Sequence, residues 1–159
     1  MASMDSMQSV QTSPKYIYKI APPHPKPDTS TVEDGRFSPI LPPSDLDISS
    51  NFIHMSTASQ VLGTLERFFP VSADVRTVVY LIRVELGPFE NRDGIVRWES
   101  PDAAVCGPRP GEGLFPHLYF EERRLWLRKD EIDTVREVVV EAGVSGWSKA
   151  LDDLKEWLV

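Results

Sequence analysis

Runs of β-branched and aromatic residues predict most of the regular structure of this chain. The longest run, residues 76–85 (RTVVYLIRVE), is apolar almost throughout, which is typical of a central strand buried on both faces. Residues 133–141 (DTVREVVVE) are ambiguous in period, and their valines favour a strand. Further short strands are predicted at residues 16–20, 51–55, 95–99, 115–120 and 125–127.

Helical spacing of apolar residues occurs in two places. In residues 58–69 it follows Thr57 and Gln60, which occupy the positions of a capping box, and Pro70 ends the pattern. The second pattern begins after an N-cap at Ser145 and predicts an amphipathic C-terminal helix. Its apolar positions are Trp147, Leu151, Leu154 and Leu158. A chain made mainly of strands, with one helix after the second strand and one at the end, predicts an α+β fold.

Proline-rich and polar segments separate these elements. Residues 22–35, 37–50 and 100–113 are expected to be irregular, because proline fixes φ and lacks a backbone donor. Residues 1–14 are rich in Ser, Met and Gln and predict a disordered tail. The remaining residues, 15–159, predict a single globular domain.

Composition narrows the possible partners and the compartment. The chain has 159 residues, 41% of them hydrophobic, and a formal net charge of −7. That charge, without a basic stripe, argues against nucleic acid and against an anionic membrane surface as partners. Residues 1–14 hold no Lys, Arg or apolar run, unlike a secretory signal, and Cys106 has no cysteine to pair with. We therefore expect a cytoplasmic protein, and the pattern leaves its oligomeric state open.

The candidate chemistry lies in three polar pairs, each on a short predicted strand. Residues two apart on a strand point to the same face, so each pair presents two functional groups to one side. The pairs are His54 with Ser56, Arg97 with Glu99, and His117 with Tyr119. If the three faces converge, they line a cleft with acid–base and hydrogen-bonding groups.

Each pair also has a purely structural explanation. His54 could be a core histidine with its hydrogen bonds satisfied, and His117 a rigid turn residue after Pro116. Arg97 and Glu99 could form an exposed cross-strand ion pair. No metal is expected, because Ser56 stands where a ligating acid would follow the first histidine. The chain has no Gly-x-Ser-x-Gly motif, and its glycine-rich segment lacks the strand-to-helix context of a phosphate loop.

The same residues resemble the signature of a known family. Residues 52–64 (FIHMSTASQVLGT), 96–99 (VRWE) and 115–119 (FPHLY) match the domain-of-unknown-function family 952 in order and spacing. The resemblance extends over residues 16–141. It implies two small antiparallel sheets around a cleft, as in ADP-ribosyltransferases, and a site for NAD. It also implies that His54 contacts the ribose on the nicotinamide side.

The chain departs from the family pattern near the expected cleft. Ser50-Asn51 replaces an Asp-Gly pair, Phe120 replaces a glycine, and the proline-rich segment replaces a tryptophan after the first strand. Residues 145–159 resemble an extension of the chain beyond the family pattern. These departures predict that the mouth of the cleft differs in shape from that of the family.

The leading hypothesis is a small-molecule enzyme that binds NAD or transfers ADP-ribose. Its catalytic residues would be His54, Glu99 and His117. The carboxylate would stabilise an oxocarbenium-like state. One alternative is an isomerase, cyclase or hydrolase without NAD that uses the same groups as acids and bases, and another is a ligand-binding module without turnover. The expected substrate-binding residues are Ser56, Arg97 and Tyr119.

Overall fold

The apolar runs of the sequence form two antiparallel sheets. The computed structural model describes residues 14–23, 44–91, 94–107, 113–144 and 146–159. Within this part of the chain the strands are β1 (Tyr16–Ala21), β2 (Ile53–His54), β3 (Thr77–Glu85), β4 (Gly94–Glu99), β5 (Cys106–Gly107), β6 (Phe115–Phe120) and β7 (Thr134–Val140). The helices are α1 (Asp45–Ser50), α2 (Ala58–Phe68), α3 (Leu86–Glu90) and α4 (Ser148–Asp152), with a 3₁₀ turn at Lys129–Glu131. The fold is therefore α+β with a C-terminal helix, as predicted.

The first sheet has the order β1-β3-β7, so β3 is its central strand. This confirms the prediction from its apolar run. Alternate residues of β3 enter two different cores, as the period of two requires. Ile82 and Val84 belong to the core that lies against the second sheet. Val79 and Leu81 belong to a core that includes residues of α2 and α4.

The second sheet has the order β2-β6-β4-β5 and presents one apolar face to the first core. Ile53, Trp98 and Leu118 lie on that face and are buried. An isolated backbone bridge also links β1 to the chain just after β2, where Tyr18 and Ser56 each donate an N–H to the other's carbonyl, at 2.8 and 2.7 Å. The other face of the second sheet is left for the cavity described below.

The predicted helix after the second strand is confirmed as α2. Gln60 Oε1 accepts a hydrogen bond from the Thr57 backbone at 2.9 Å, which is the glutamine half of the predicted capping box. The predicted strands at residues 16–20, 95–99, 115–120 and 133–141 are confirmed as β1, β4, β6 and β7, and that at 51–55 is reduced to β2.

The prediction of irregular structure over residues 37–50 is wrong for its last six residues, which form α1. Ser44 is the N-cap of this helix, and its Oγ accepts a hydrogen bond from the Asp47 backbone at 3.1 Å. The cap lets a six-residue helix begin directly after two prolines. Residues 37–43 lie outside the described residues, as do residues 1–13 of the predicted tail.

The predicted strand at residues 125–127 is also wrong. Leu127 is buried in the first core, but the carbonyl of Trp126 accepts from Arg124 Nη1 at 2.8 Å rather than from a neighbouring strand. The Arg124 side chain therefore satisfies a backbone carbonyl that would be paired with a neighbouring strand in a sheet.

Two other segments differ from expectation in part. The loop predicted at 100–113 contains β5, and its residues 108–112 are not among those described. The C-terminal helix is shorter than predicted, because residues 153–157 continue as turns. Ser145, its predicted N-cap, falls outside the described part. No helix among the described residues is long and apolar enough to cross a membrane.

Candidate functional site

A cavity of about 950 Å³ lies over the free face of the second sheet, between that sheet, α1 and α2. His54, Ser56, His117 and Tyr119 are among the residues that line it. The cavity is within the range of about 300–1,000 Å³ that is typical of small-molecule sites. It brings residues from three distant parts of the sequence to one surface.

The register of the second sheet explains why two histidines meet here. His117 on β6 is paired with His54 on β2 at one side and with Arg97 on β4 at the other. Directly opposed residues of antiparallel strands point to the same face, so the three polar side chains stand in one row. The imidazole centroids of His54 and His117 are 5.1 Å apart.

The imidazole of His54 is held by a buried carboxylate from α1. Its Nδ1 lies 2.9 Å from Asp47 Oδ1, and the His54 backbone N–H donates to the same oxygen at 3.0 Å. The other carboxylate oxygen accepts from Lys19 Nζ at 2.8 Å. Asp47 has no solvent exposure, so this carboxylate is fully enclosed between a lysine and a histidine.

The imidazole of His117 is held in the same way by Glu99. Its Nδ1 lies 3.2 Å from Glu99 Oε1, and the Tyr119 hydroxyl donates to that oxygen at 2.6 Å. The Phe52 ring stacks on the His117 ring with centroids 4.1 Å apart and an interplanar angle of 22°. Stacking and hydrogen bonding together fix the plane and direction of the His117 ring.

Burial and neighbouring charges shift three pKa values at this site. Burial lowers the pKa of His117, and the nearby His54 adds to that effect, although the hydrogen bond to Glu99 opposes it. Burial also raises the pKa of Tyr119, reinforced by its hydrogen bond to Glu99. For Asp47, burial alone would raise the pKa, but His54 and Lys19 outweigh it and hold the pKa well below its usual range. The ordinary state at neutral pH is thus an ionised Asp47 and a neutral His117.

The predicted site residues fall into two groups. His54, Ser56, His117 and Tyr119 all line the cavity, and the Ser56 hydroxyl lies 3.4 Å from that of Thr64 on α2. Glu99 and Arg97 do not line it. Glu99 is 5% exposed and sits behind His117 and Tyr119, whereas Arg97 is exposed with its guanidinium 4.6 Å from the centroid of the Tyr119 ring.

Three residues of the site were not predicted from the sequence. Asp47 and Lys19 form the ion pair behind His54, and Phe52 packs between the two histidines. The sequence contained a signal for two of them, Asp47 and Lys19. Ser44 and Asp47 have the spacing of a helix cap, and Lys19 is a charged residue on the same strand face as the buried Ile17.

Among the described residues, no group of three or more His, Cys, Asp or Glu side chains is arranged to hold a metal ion. Nδ1 of each imidazole is engaged with its own carboxylate, so each ring presents Nε2 to the cavity. The groups at the cavity surface are instead suited to proton transfer and hydrogen bonding.

Comparison with known proteins gives one family and one fold neighbour. The model of a family described as "Protein of unknown function (DUF952)" matches residues 25–134. The crystal structure of protein CC0527 from Caulobacter crescentus is similar at 23% sequence identity, covers 87% of this chain and 96% of that chain, and has a TM-score of 0.53. A crystal structure of a double mutant of that protein gives the same values. No curated protein matches.

The two findings carry different weight. At this identity the likeness to CC0527 shows the fold alone. The family match spans more than half of the chain and includes all three segments that form the face of the cavity. The chain therefore belongs to the DUF952 family.

Proposed function

We propose that the cavity is an active site for acid–base chemistry on a small organic molecule, with His54 and His117 as the proton-transferring groups. One observation carries this proposal. Two imidazoles stand 5.1 Å apart at the cavity surface, and Nδ1 of each is held by a different buried carboxylate. A histidine oriented in this way by a carboxylate is a recurrent arrangement of general acids and bases.

The carboxylates decide which ring nitrogen reacts. When Nδ1–H donates to a carboxylate, the proton of a neutral imidazole is on Nδ1 and the lone pair is on Nε2. Nε2 of both rings makes no hydrogen bond to the described residues, so it is free to meet a ligand. In this scheme Asp47 and Glu99 are positioning residues, and Nε2 of each histidine exchanges the proton.

The two histidines divide the proton transfers in this scheme. His117 is kept neutral by burial, so its Nε2 takes a proton from the substrate. His54 is held through Nδ1 by the ionised Asp47 and presents Nε2 to the same cavity, so it is the partner in the second proton exchange. Two imidazoles that present Nε2 to one cavity can act together as an acid–base pair.

The other predicted residues serve binding in this scheme. Ser56 and Thr64 present hydroxyls to the ligand. The Tyr119 hydroxyl is already engaged by Glu99, so Tyr119 offers its ring to the cavity. Arg97 lies over the outer part of that ring and restrains it, without contacting the ligand.

A second candidate keeps NAD and the transfer of ADP-ribose. It is favoured by two small antiparallel sheets and a cavity of about 950 Å³ with His54 on a short strand at its surface, which the ADP-ribosyltransferase likeness implies. Glu99 lies behind His117 in the present arrangement, so in this version it acts on the reacting ribose through that ring. A ligand-binding module without turnover is the third version.

Turnover by matched variants tests the leading proposal. His54→Asn and His117→Asn place an amide donor near the former Nδ1 and so keep the hydrogen bond to each carboxylate, but they lack Nε2. We expect that wild-type protein converts at least one compound of a defined metabolite library, followed by mass spectrometry. Each variant should lower that rate by about 10²- to 10⁴-fold.

The control is a tyrosine–carboxylate hydrogen bond of the same type in the first sheet. Tyr80 donates to Glu137 Oε2 at 3.0 Å, which matches the Tyr119–Glu99 contact in kind but lies away from the cavity. Glu137→Gln should keep the wild-type rate. The proposal is contradicted if no compound distinguishes the wild type from His117→Asn when both are folded by thermal unfolding. Calorimetric binding of NAD, followed by release of nicotinamide, would favour the second candidate.

A further inference from the structure

The buried lysine at the cavity is neutralised by a carboxylate, and Arg67 and Asp102 are at the rim. The ammonium of Lys19 is 8% exposed and is paired with Asp47 at 2.8 Å. Arg67 is exposed at the rim, where its guanidinium lies 5.2 Å from the centroid of the Phe68 ring. The rim also carries Asp102, whose hydrogen bonds from Ser100 and from a backbone amide lower its pKa and keep it anionic. Among the described residues, the lining offers no buried cation that is free to receive a phosphate.

The walls of the cavity are instead aromatic. Phe52, Phe115 and Tyr119 line its inner part together with the two imidazoles. Phe52 contacts His54 as well as His117, with ring centroids 4.5 Å apart in the first pair. Such surfaces hold a flat ligand by stacking and by excluding water.

The mouth, which carries Arg67 and Asp102, also has large apolar side chains. Leu46 of α1 and Phe68 of α2 both line the cavity, and they are 51% and 56% exposed. They stand on two different helices, so they flank the entrance. Large apolar side chains that are exposed at the mouth of a cavity favour an apolar ligand, because its binding removes them from water.

We propose that this cavity selects an uncharged, planar aromatic or conjugated molecule and discriminates against phosphorylated ligands. The inference rests on the function proposed above, since it concerns the same site. The aromatic walls receive the plane of the ligand, and its one or two polar groups meet Ser56, Thr64 or Nε2 of a histidine. A phosphate would lose its hydration without gaining a free buried cation, which opposes binding.

A matched pair of probes tests this selection. Naphthol and naphthyl phosphate share one ring system and differ by the charged group. Titration calorimetry at neutral pH should give a dissociation constant for naphthol that is lower by at least about tenfold. NAD is titrated in the same way and should bind more weakly than naphthol.

Two variants at one position show whether the probe sits in the cavity. Gly63 of α2 lines the cavity, and a Cβ added there would meet nothing within 4 Å. Gly63→Leu should therefore project into the cavity, obstruct it and weaken naphthol binding by about tenfold or more, and thermal unfolding checks that the variant is folded. Gly63→Ala raises helix propensity, as Gly63→Leu does, but it adds only a methyl group. It should therefore bind naphthol nearly as the wild type does.

Several results overturn the inference. These are tighter binding of naphthyl phosphate or NAD than of naphthol, no binding of naphthol, or equal affinity of naphthol for the wild type and Gly63→Leu. The inference and the proposed function fail separately. Turnover of a phosphorylated compound that depends on His117 would leave the acid–base chemistry standing and refute the selection, whereas selective naphthol binding without any turnover in the library would do the reverse.

Discussion

At the scale of single residues, the site depends on what lies behind each histidine. His117 is 1% exposed, so its ring loses hydration, and the Glu99 hydrogen bond recovers only part of that loss. The alternation along β2 and β6 was sufficient to predict that His54 and Ser56, and His117 and Tyr119, share a face. It could not predict Asp47 or Lys19, because their contact with His54 exists only after β1, α1 and β2 have come together.

The lowered pKa of His117 makes stability depend on pH. Below the unfolded value of 6.5, the unfolded chain binds a proton at this residue that the folded chain does not bind. The free energy of unfolding should therefore fall as the pH drops through 6.5 towards the lowered folded pKa. Asp47 contributes with the same sign but only in a more acidic range, because its unfolded value is 3.8.

Urea denaturation at about pH 7.5 and about pH 5.5 measures the effect above the range in which Asp47 titrates. The wild type should lose stability between these values, and His117→Asn should lose less, because it has no proton to bind at position 117. Glu137→Gln is the control and should follow the wild type. An equal loss in the wild type and His117→Asn would contradict a depressed pKa for His117.

At the scale of elements, α1 shows what the sequence could and could not supply. Its cap was visible as the spacing of Ser44 and Asp47, but the proline-rich surroundings favoured an irregular segment. The central position of β3 followed from its apolar run, because a strand covered on both faces needs no polar alternation. The shortness of α4 did not follow, since the apolar spacing continues through turns that pack against the sheet.

The role of α1 is to carry Asp47 into the space between β1 and β2. Asp47→Asn leaves the ammonium of Lys19 buried without its counter-charge, which should destabilise the fold by about 3–5 kcal/mol. Adding Lys19→Met removes that ammonium, so the double variant should be more stable than Asp47→Asn alone. Chemical denaturation of the two variants tests this order. If Lys19→Met destabilises Asp47→Asn further, the ion pair does not explain the position of α1.

At the scale of the whole molecule, the site depends on how two sheets are joined. His54 precedes by two residues the Ser56 that bridges to Tyr18 of the first sheet, whereas His117 is at the centre of the second sheet. The two imidazoles are paired residues of the second sheet, and the bridge holds the chain that follows β2, close to His54, against the first sheet. The sequence predicted the α+β class and two small sheets, but this bridge depends on a single pair of backbone hydrogen bonds that no residue pattern encodes.

The protonation of His117 is the most direct test of the account, because it needs no knowledge of the substrate. Nitrogen-15 NMR of the imidazole rings at about pH 7.5 distinguishes the two neutral tautomers and the charged ring. The spectrum of His117→Asn assigns the signal. The account predicts a neutral His117 with its proton on Nδ1, donated to Glu99, and a bare Nε2. A proton on Nε2, or a doubly protonated ring at that pH, would contradict it.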